Sequence, residues 1–134
     1  VYKRQDDIQK RRKEIWDFYN HALKYIAEKG YLKLPNIPNY ASNNAHMYYV
    51  VCKNLAERQG LIDALKNNNI LSVFHYLSLH QSPFYIDKHD GRDLPNSDFY
   101  SDCLLRLPMF YELTESDLTL ITNTISEYFN NQVK

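Results

Sequence analysis

Between Asp6 and Lys29 the apolar residues Ile8, Ile15, Tyr19, Ala22, Leu23 and Ile26 recur at helical spacing, and Trp16 and Phe18 widen that face. The pattern predicts one long amphipathic helix, stopped at Gly30 after a basic Lys29. Pro35 and Pro38 make residues 34–39 an extended connection. Residues 46–53 are rich in aromatic and β-branched side chains and predict a strand. Asn54 with Glu57 three residues on forms a capping-box start for a helix over 55–67 that buries Leu61, Ile62 and Leu65. Gly60 costs that helix about 1 kcal/mol relative to Ala, so its presence points to a close contact. After Asn67-Asn68-Asn69, residues 70–75 predict a second strand.

Residues 81–96 hold Pro83, Gly91, Pro95 and several charges, and they read as a long surface loop. Ser97 is expected to cap a short helix reaching Leu105, and residues 106–109 to form an edge strand that tolerates Pro108. Thr114 with Asp117 opens a last helix that carries Leu118, Ile121, Ile125, Tyr128 and Phe129 on one face. The order α-β-α-β-loop-α-β-α predicts a single α+β domain over residues 1–134. Its small antiparallel or mixed sheet of about three strands carries helices on one side. The first helix presents more apolar surface than the rest of this chain can cover.

Charge narrows the function classes. Sixteen basic residues balance sixteen acidic ones, so the chain has no general pull toward nucleic acid or an anionic membrane. Lys10-Arg11-Arg12-Lys13 is the one basic run, and acidic neighbours within a helical pattern make it a solvated helix face. Cys52 and Cys103 lie in apolar contexts and are expected to be buried free thiols. No apolar run approaches the roughly 20 residues a membrane span needs. The first residues lack both an initiator Met and the apolar core of a signal peptide, so we expect a cytoplasmic chain that is part of a longer one.

The stretch from Val73 to Pro83, Val-Phe-His-Tyr-Leu-Ser-Leu-His-Gln-Ser-Pro, carries the chemistry. An apolar run ending in imidazoles and a phenol is typical of a small-ligand pocket. His75 and Tyr76 can both donate and accept hydrogen bonds to an anionic or hydroxylated ligand. The alternative for His75, a hydrogen-bonded core histidine, is equally compatible with its place in the strand, and His80 beyond the strand end reads as an ordinary exposed polar residue. His46-Met47-Tyr48-Tyr49 reads as sheet core. A metal site built from His75 and His80 with Cys52, Cys103 or His89 matches none of the common zinc spacings. Nucleophile-elbow and glycine-rich phosphate motifs are missing, and twelve tyrosines without a basic groove do not make an RNA binder.

Several pieces together resemble one family. They are Arg12-Lys13-Glu14-Ile15-Trp16 with Tyr19, Leu34-Pro35-Asn36-Ile37-Pro38, and Asn44-Ala45-His46-Met47-Tyr48. Arg58, Phe74-His75-Tyr76, Leu79-His80 and Leu104-Leu105-Arg106-Leu107-Pro108-Met109-Phe110 complete the set, with Ser78 where the family commonly has proline. In order and spacing they resemble the C-terminal small domain of nucleotide-sugar aminotransferases that use pyridoxal phosphate, the family of 3-amino-5-hydroxybenzoate synthase. Within it they are most similar to the dTDP-4-keto-6-deoxyglucose transaminases of bacterial surface-polysaccharide and lipopolysaccharide synthesis.

The resemblance implies a large domain outside this chain that carries the Schiff-base lysine. It also implies glutamate as amino donor, a nucleotide-sugar substrate, and a homodimer with active sites at the subunit interface. By position His75, Tyr76 and His80 would bind the substrate, with Arg106 a weaker candidate at a helix end. No catalytic, cofactor-binding or metal-ligating residue is assigned within this chain, which would be inactive alone. The competing reading is a free-standing α+β module that binds a small ligand.

Overall fold

A computed structural model describes residues 2–131. Helix α1 (Gln5–Ala22) carries Asp6 and Asp7 in its first turn, where carboxylates complement the helix dipole. It buries Ile15, Trp16 and Tyr19. The single helix expected over 6–29 is divided at Leu23 (φ −91, ψ −3), and α2 (Lys24–Glu28) follows. The bonds Leu23 N–H to Tyr19 O (3.0 Å) and Ala27 N–H to Leu23 O (3.1 Å) carry the hydrogen-bond ladder across that break. Gly30, at φ +76, ends the pair as expected. Its N–H reaches Ala27 O and the Tyr31 N–H reaches Ile26 O, the two-bond closure that only a left-handed residue permits.

Strand β1 (Tyr48–Val51) is shorter than expected, and His46 lies outside it and exposed. Helix α3 (Leu55–Asn67) starts as read, with the Glu57 N–H donating to Asn54 Oδ1 at 2.9 Å and Glu57 Oε1 accepting the Lys53 N–H at 3.0 Å. Strand β2 keeps only Val73–Phe74 of the six residues expected. Helix α4 (Pro95–Cys103) begins earlier than Ser97, because Pro at its first position is preorganised for the helix and needs no N–H partner there. Strand β3 (Leu104–Leu107) follows α4 without a loop. Helix α5 (Glu115–Asn131) opens on the predicted Thr114–Asp117 box.

The sheet is antiparallel throughout, in the order β1-β3-β2. The strand expected at an edge is therefore the central one. Pro108 does not interrupt it, because β3 ends at Leu107, one residue before the missing N–H would break the ladder. Tyr48, Val50, Leu105 and Leu107 point to one face and join Ile15, Tyr19, Leu61, Leu65, Leu118, Ile125 and Phe129 in one core. Tyr19 stacks on Tyr48 at 5.0 Å while its hydroxyl donates to Pro108 O at 2.8 Å. Helices thus cover one face of the sheet, as expected, and Tyr49, Arg106 and Val73 lie in register on the other. Arg106 is mid-strand rather than at a helix end.

Two arginines of the basic run tie the domain together instead of forming a solvated face. Arg12 donates through Nε to Ala45 O at 3.0 Å and through Nη2 to His46 O. Arg11 pairs with Glu14 at 3.3 Å and donates to Leu113 O. Both cysteines are buried and free, and the Cys52 N–H bonds Cys103 O at 2.9 Å. Among the described residues, no helix is long and apolar enough to cross a membrane.

Candidate functional site

The chain leaves β2 at Phe74 and runs along one flank of α4, and two adjacent clefts open there. The first has a volume of about 380 Å³ and is lined by His75, Tyr76, Ser78, Ser97, Tyr100 and Ser101 among others. The second, about 290 Å³, holds His80, Tyr85, Lys88 and His89 and shares Leu79 and Ser97 with the first. The three residues expected to bind substrate are thus brought to neighbouring clefts, His75 and Tyr76 to one and His80 to the other.

Tyr76 is held in an unusual conformation. Its φ of +56 is in the left-handed region that bulky residues seldom occupy, and the residue is 74% exposed. Such a conformation persists where neighbours over-determine it, commonly at ligand sites. Here the Ser101 hydroxyl donates to Tyr76 O at 3.3 Å. The ring lies 4.8 Å from that of His75, tilted by 58°. Nδ1 of half-buried His75 is shielded from water and has no protein partner. A buried polar atom left unpaired costs about 1–3 kcal/mol.

His80 is not the exposed residue its position suggested. Its side chain is 14% exposed, and Nε2 lies 3.1 Å from Oδ1 of Asp98. The same oxygen accepts the Gln81 amide at 2.9 Å. The His80 ring lies 5.1 Å from that of His89, whose Nε2 is 2.9 Å from Arg92 O. No group of three His, Cys, Asp or Glu side chains suited to a metal occurs among the described residues.

Sequence reading missed the α4 side of the site. Ser97, Asp98 and Ser101 share one helical flank and reach Ser78 Oγ (3.1 Å), His80 and Tyr76 respectively. The spacing of these three polar residues was the available signal, but reading Ser97 as a cap concealed it. The Ser97–Ser78 bond also gives the departure at Ser78 a role, since proline there would have no hydroxyl to offer.

A three-stranded antiparallel sheet with helices on one face matches the small domain of sugar aminotransferases. The aminotransferase TlmJ of Streptoalloteichus hindustanus superposes with a TM-score of 0.86 at 20% identity, over 98% of this chain and 34% of that one. Residues 2–126 match the DegT/DnrJ/EryC1/StrS aminotransferase family, and the chain belongs to it. A DegT DnrJ EryC1 StrS aminotransferase from Brucella abortus is 30% identical, with a TM-score of 0.77 over 95% of this chain and 32% of that one. Spr1654 of Streptococcus pneumoniae in its PLP-form gives 0.84 at 20% identity, over 99% of this chain and 34% of its own. The chain therefore spans about a third of the length of the solved relatives it matches.

Pyridoxal phosphate, implied by the family, does not fit either cleft as this chain builds it. The first cleft has no lysine for a Schiff base and no arginine for a phosphate. Lys88 of the second lies 3.4 Å over the ring of Phe84, on an exposed turn.

Proposed function

We propose that this chain is the C-terminal small domain of a cytoplasmic nucleotide-sugar aminotransferase whose cofactor is held mainly by a large domain outside it. In this reading glutamate donates the amino group and a dTDP-4-keto-6-deoxyglucose-type sugar accepts it, for surface-polysaccharide synthesis in a homodimer. The cofactor supplies the electron sink of amino transfer. The chain's own residues bind and orient the sugar nucleotide and help to exclude water from it. His75 offers its unpartnered Nδ1, Tyr76 its exposed phenol, and His80 a ring oriented by Asp98. The observation that carries the reading is the gathering of these three residues along one flank of α4, with Tyr76 among them held at positive φ.

The test is amino transfer from glutamate to dTDP-4-keto-6-deoxyglucose by the whole enzyme that contains this chain, followed as 2-oxoglutarate released. His75→Ala and His80→Ala are each expected to raise KM for the sugar nucleotide about tenfold, a loss of about 1.4 kcal/mol of binding. Tyr76→Phe, which removes only the hydroxyl, should do the same to a smaller extent. Unchanged KM in all three variants would leave the residues without a role in substrate binding.

A further inference from the structure

Arg58 is a buried cation without an anion. It is only 8% exposed, and among the described residues no carboxylate lies within ion-pair distance. Its Nε is buried with no hydrogen-bond partner. The guanidinium makes two contacts beyond its own helix. Nη1 donates to Ser101 O at 2.8 Å, and the ring of Phe74 lies 5.4 Å from Cζ. If stability of α3 were the only requirement, a buried charge in such a place would be poorly chosen, because an apolar side chain of the same length avoids the desolvation cost.

Of those two contacts, Ser101 lines the first cleft and Phe74 directly precedes its lining residue His75. Ser101 belongs to the last turn of α4, where a cation is well placed to satisfy a free carbonyl, and its hydroxyl is the group that bonds Tyr76 O. Phe74 is the final residue of β2 and immediately precedes His75. Phe74 is 46% exposed, so packing alone does not fix it. We infer that Arg58 is a positioning residue for the His75–Tyr76 pair, holding the end of α4 and the end of β2 at a set separation beside the cleft. The inference rests on the reading that this pair faces the sugar nucleotide.

The test replaces Arg58 with Met, which keeps the length of the side chain and removes its charge and donors. In the full chain, Tm should stay within about 3 °C, since loss of the buried charge offsets loss of the hydrogen bond. The His75–Tyr76 ring-to-ring nuclear Overhauser cross-peaks should vanish. In the whole enzyme KM for the sugar nucleotide should rise about tenfold with kcat little changed. Should Arg58→Met fail to fold, Phe74→Leu removes one of the two contacts at an exposed site and should weaken the same cross-peaks. Cross-peaks of unchanged intensity in the folded variant would overturn the inference. If the whole enzyme aminates no sugar nucleotide, the functional reading fails, while the cross-peaks still decide the role of Arg58.

Discussion

The hydroxyl of Tyr128 occupies the space that a side chain on Gly60 would need. The same hydroxyl donates to Glu57 O at 3.2 Å, so α3 and α5 touch through a phenol seated over a glycine. Gly60→Ala gains up to about 1 kcal/mol of helix propensity but must displace the phenol and its hydrogen bond. We expect a net loss of about 1 kcal/mol in urea denaturation. In a Tyr128→Phe background the oxygen is gone, and the same Gly60→Ala change should be neutral or stabilising. Equal effects in both backgrounds would show that the two positions do not interact.

Arg12 holds the connection before β1 to the first helix by its bonds to Ala45 O and His46 O. Arg12→Gln is expected to lower stability by about 1.5–3 kcal/mol, the range for hydrogen bonds from a charged donor. Amide hydrogen exchange should quicken at residues 44–47 first. Lys10→Gln, on the same basic run, provides the comparison and should change stability by less than about 0.5 kcal/mol.

Burial pushes the Cys52 thiol up to about 12, with Glu57 and Cys103 adding to the shift and Arg58 opposing it. At pH 8 almost no thiolate forms, so iodoacetamide should leave Cys52 unmodified in the native chain and label it in urea. The folded form also holds this proton more tightly than the unfolded form does. The stability that results is complete below the ordinary value of 9.0 and is lost as pH rises from there toward about 12. Cys52→Ala should therefore lose less stability between pH 8 and about pH 10.5 than the parent chain does.

The Thr114 hydroxyl and N–H both donate to Asp117, at 2.6 and 3.0 Å, and hold its carboxyl below the usual carboxylate range. A lowered folded-state value means that its stabilising effect is present above the ordinary 3.8 and disappears as pH falls through that region. Thr114→Ala removes the side-chain bond and restores Asp117 toward its ordinary value. Acid unfolding should then start at a higher pH in absolute terms, but with a shallower pH dependence near 3–4. An unchanged carboxyl titration by carbon-13 NMR would contradict this account.

Local signals were legible in the sequence where side chains act on their own backbone. The Asn54 and Thr114 boxes and the Gly30 stop all lie where they were read. Pairing was less legible, because the place of a strand in a sheet depends on partners distant in sequence. Pro108 suggested an edge, yet it marks only where the central strand stops. Val73 and Phe74 are exposed, and apolar composition overstated the length of their strand. In the candidate site His75, Tyr76 and His80 could be found from one short stretch. The contacts that Asp98, Ser101 and Arg58 make could not, because each partner is distant in sequence, although the spacing of Asp98 and Ser101 with Ser97 was a signal in itself.

The strand order β1-β3-β2 has a consequence for assembly. Neither of the first two strands finds a sheet partner in the other, and both wait for Leu104–Leu107. A nascent chain ending before Leu107 has helices but no complete ladder, and every pairing in the sheet must close a long loop. The loop closed between β2 and β3 is residues 75–103, the stretch that carries both clefts. Docking of the last strand therefore completes the sheet and brings the walls of the site together in one event, so the site does not form ahead of the sheet.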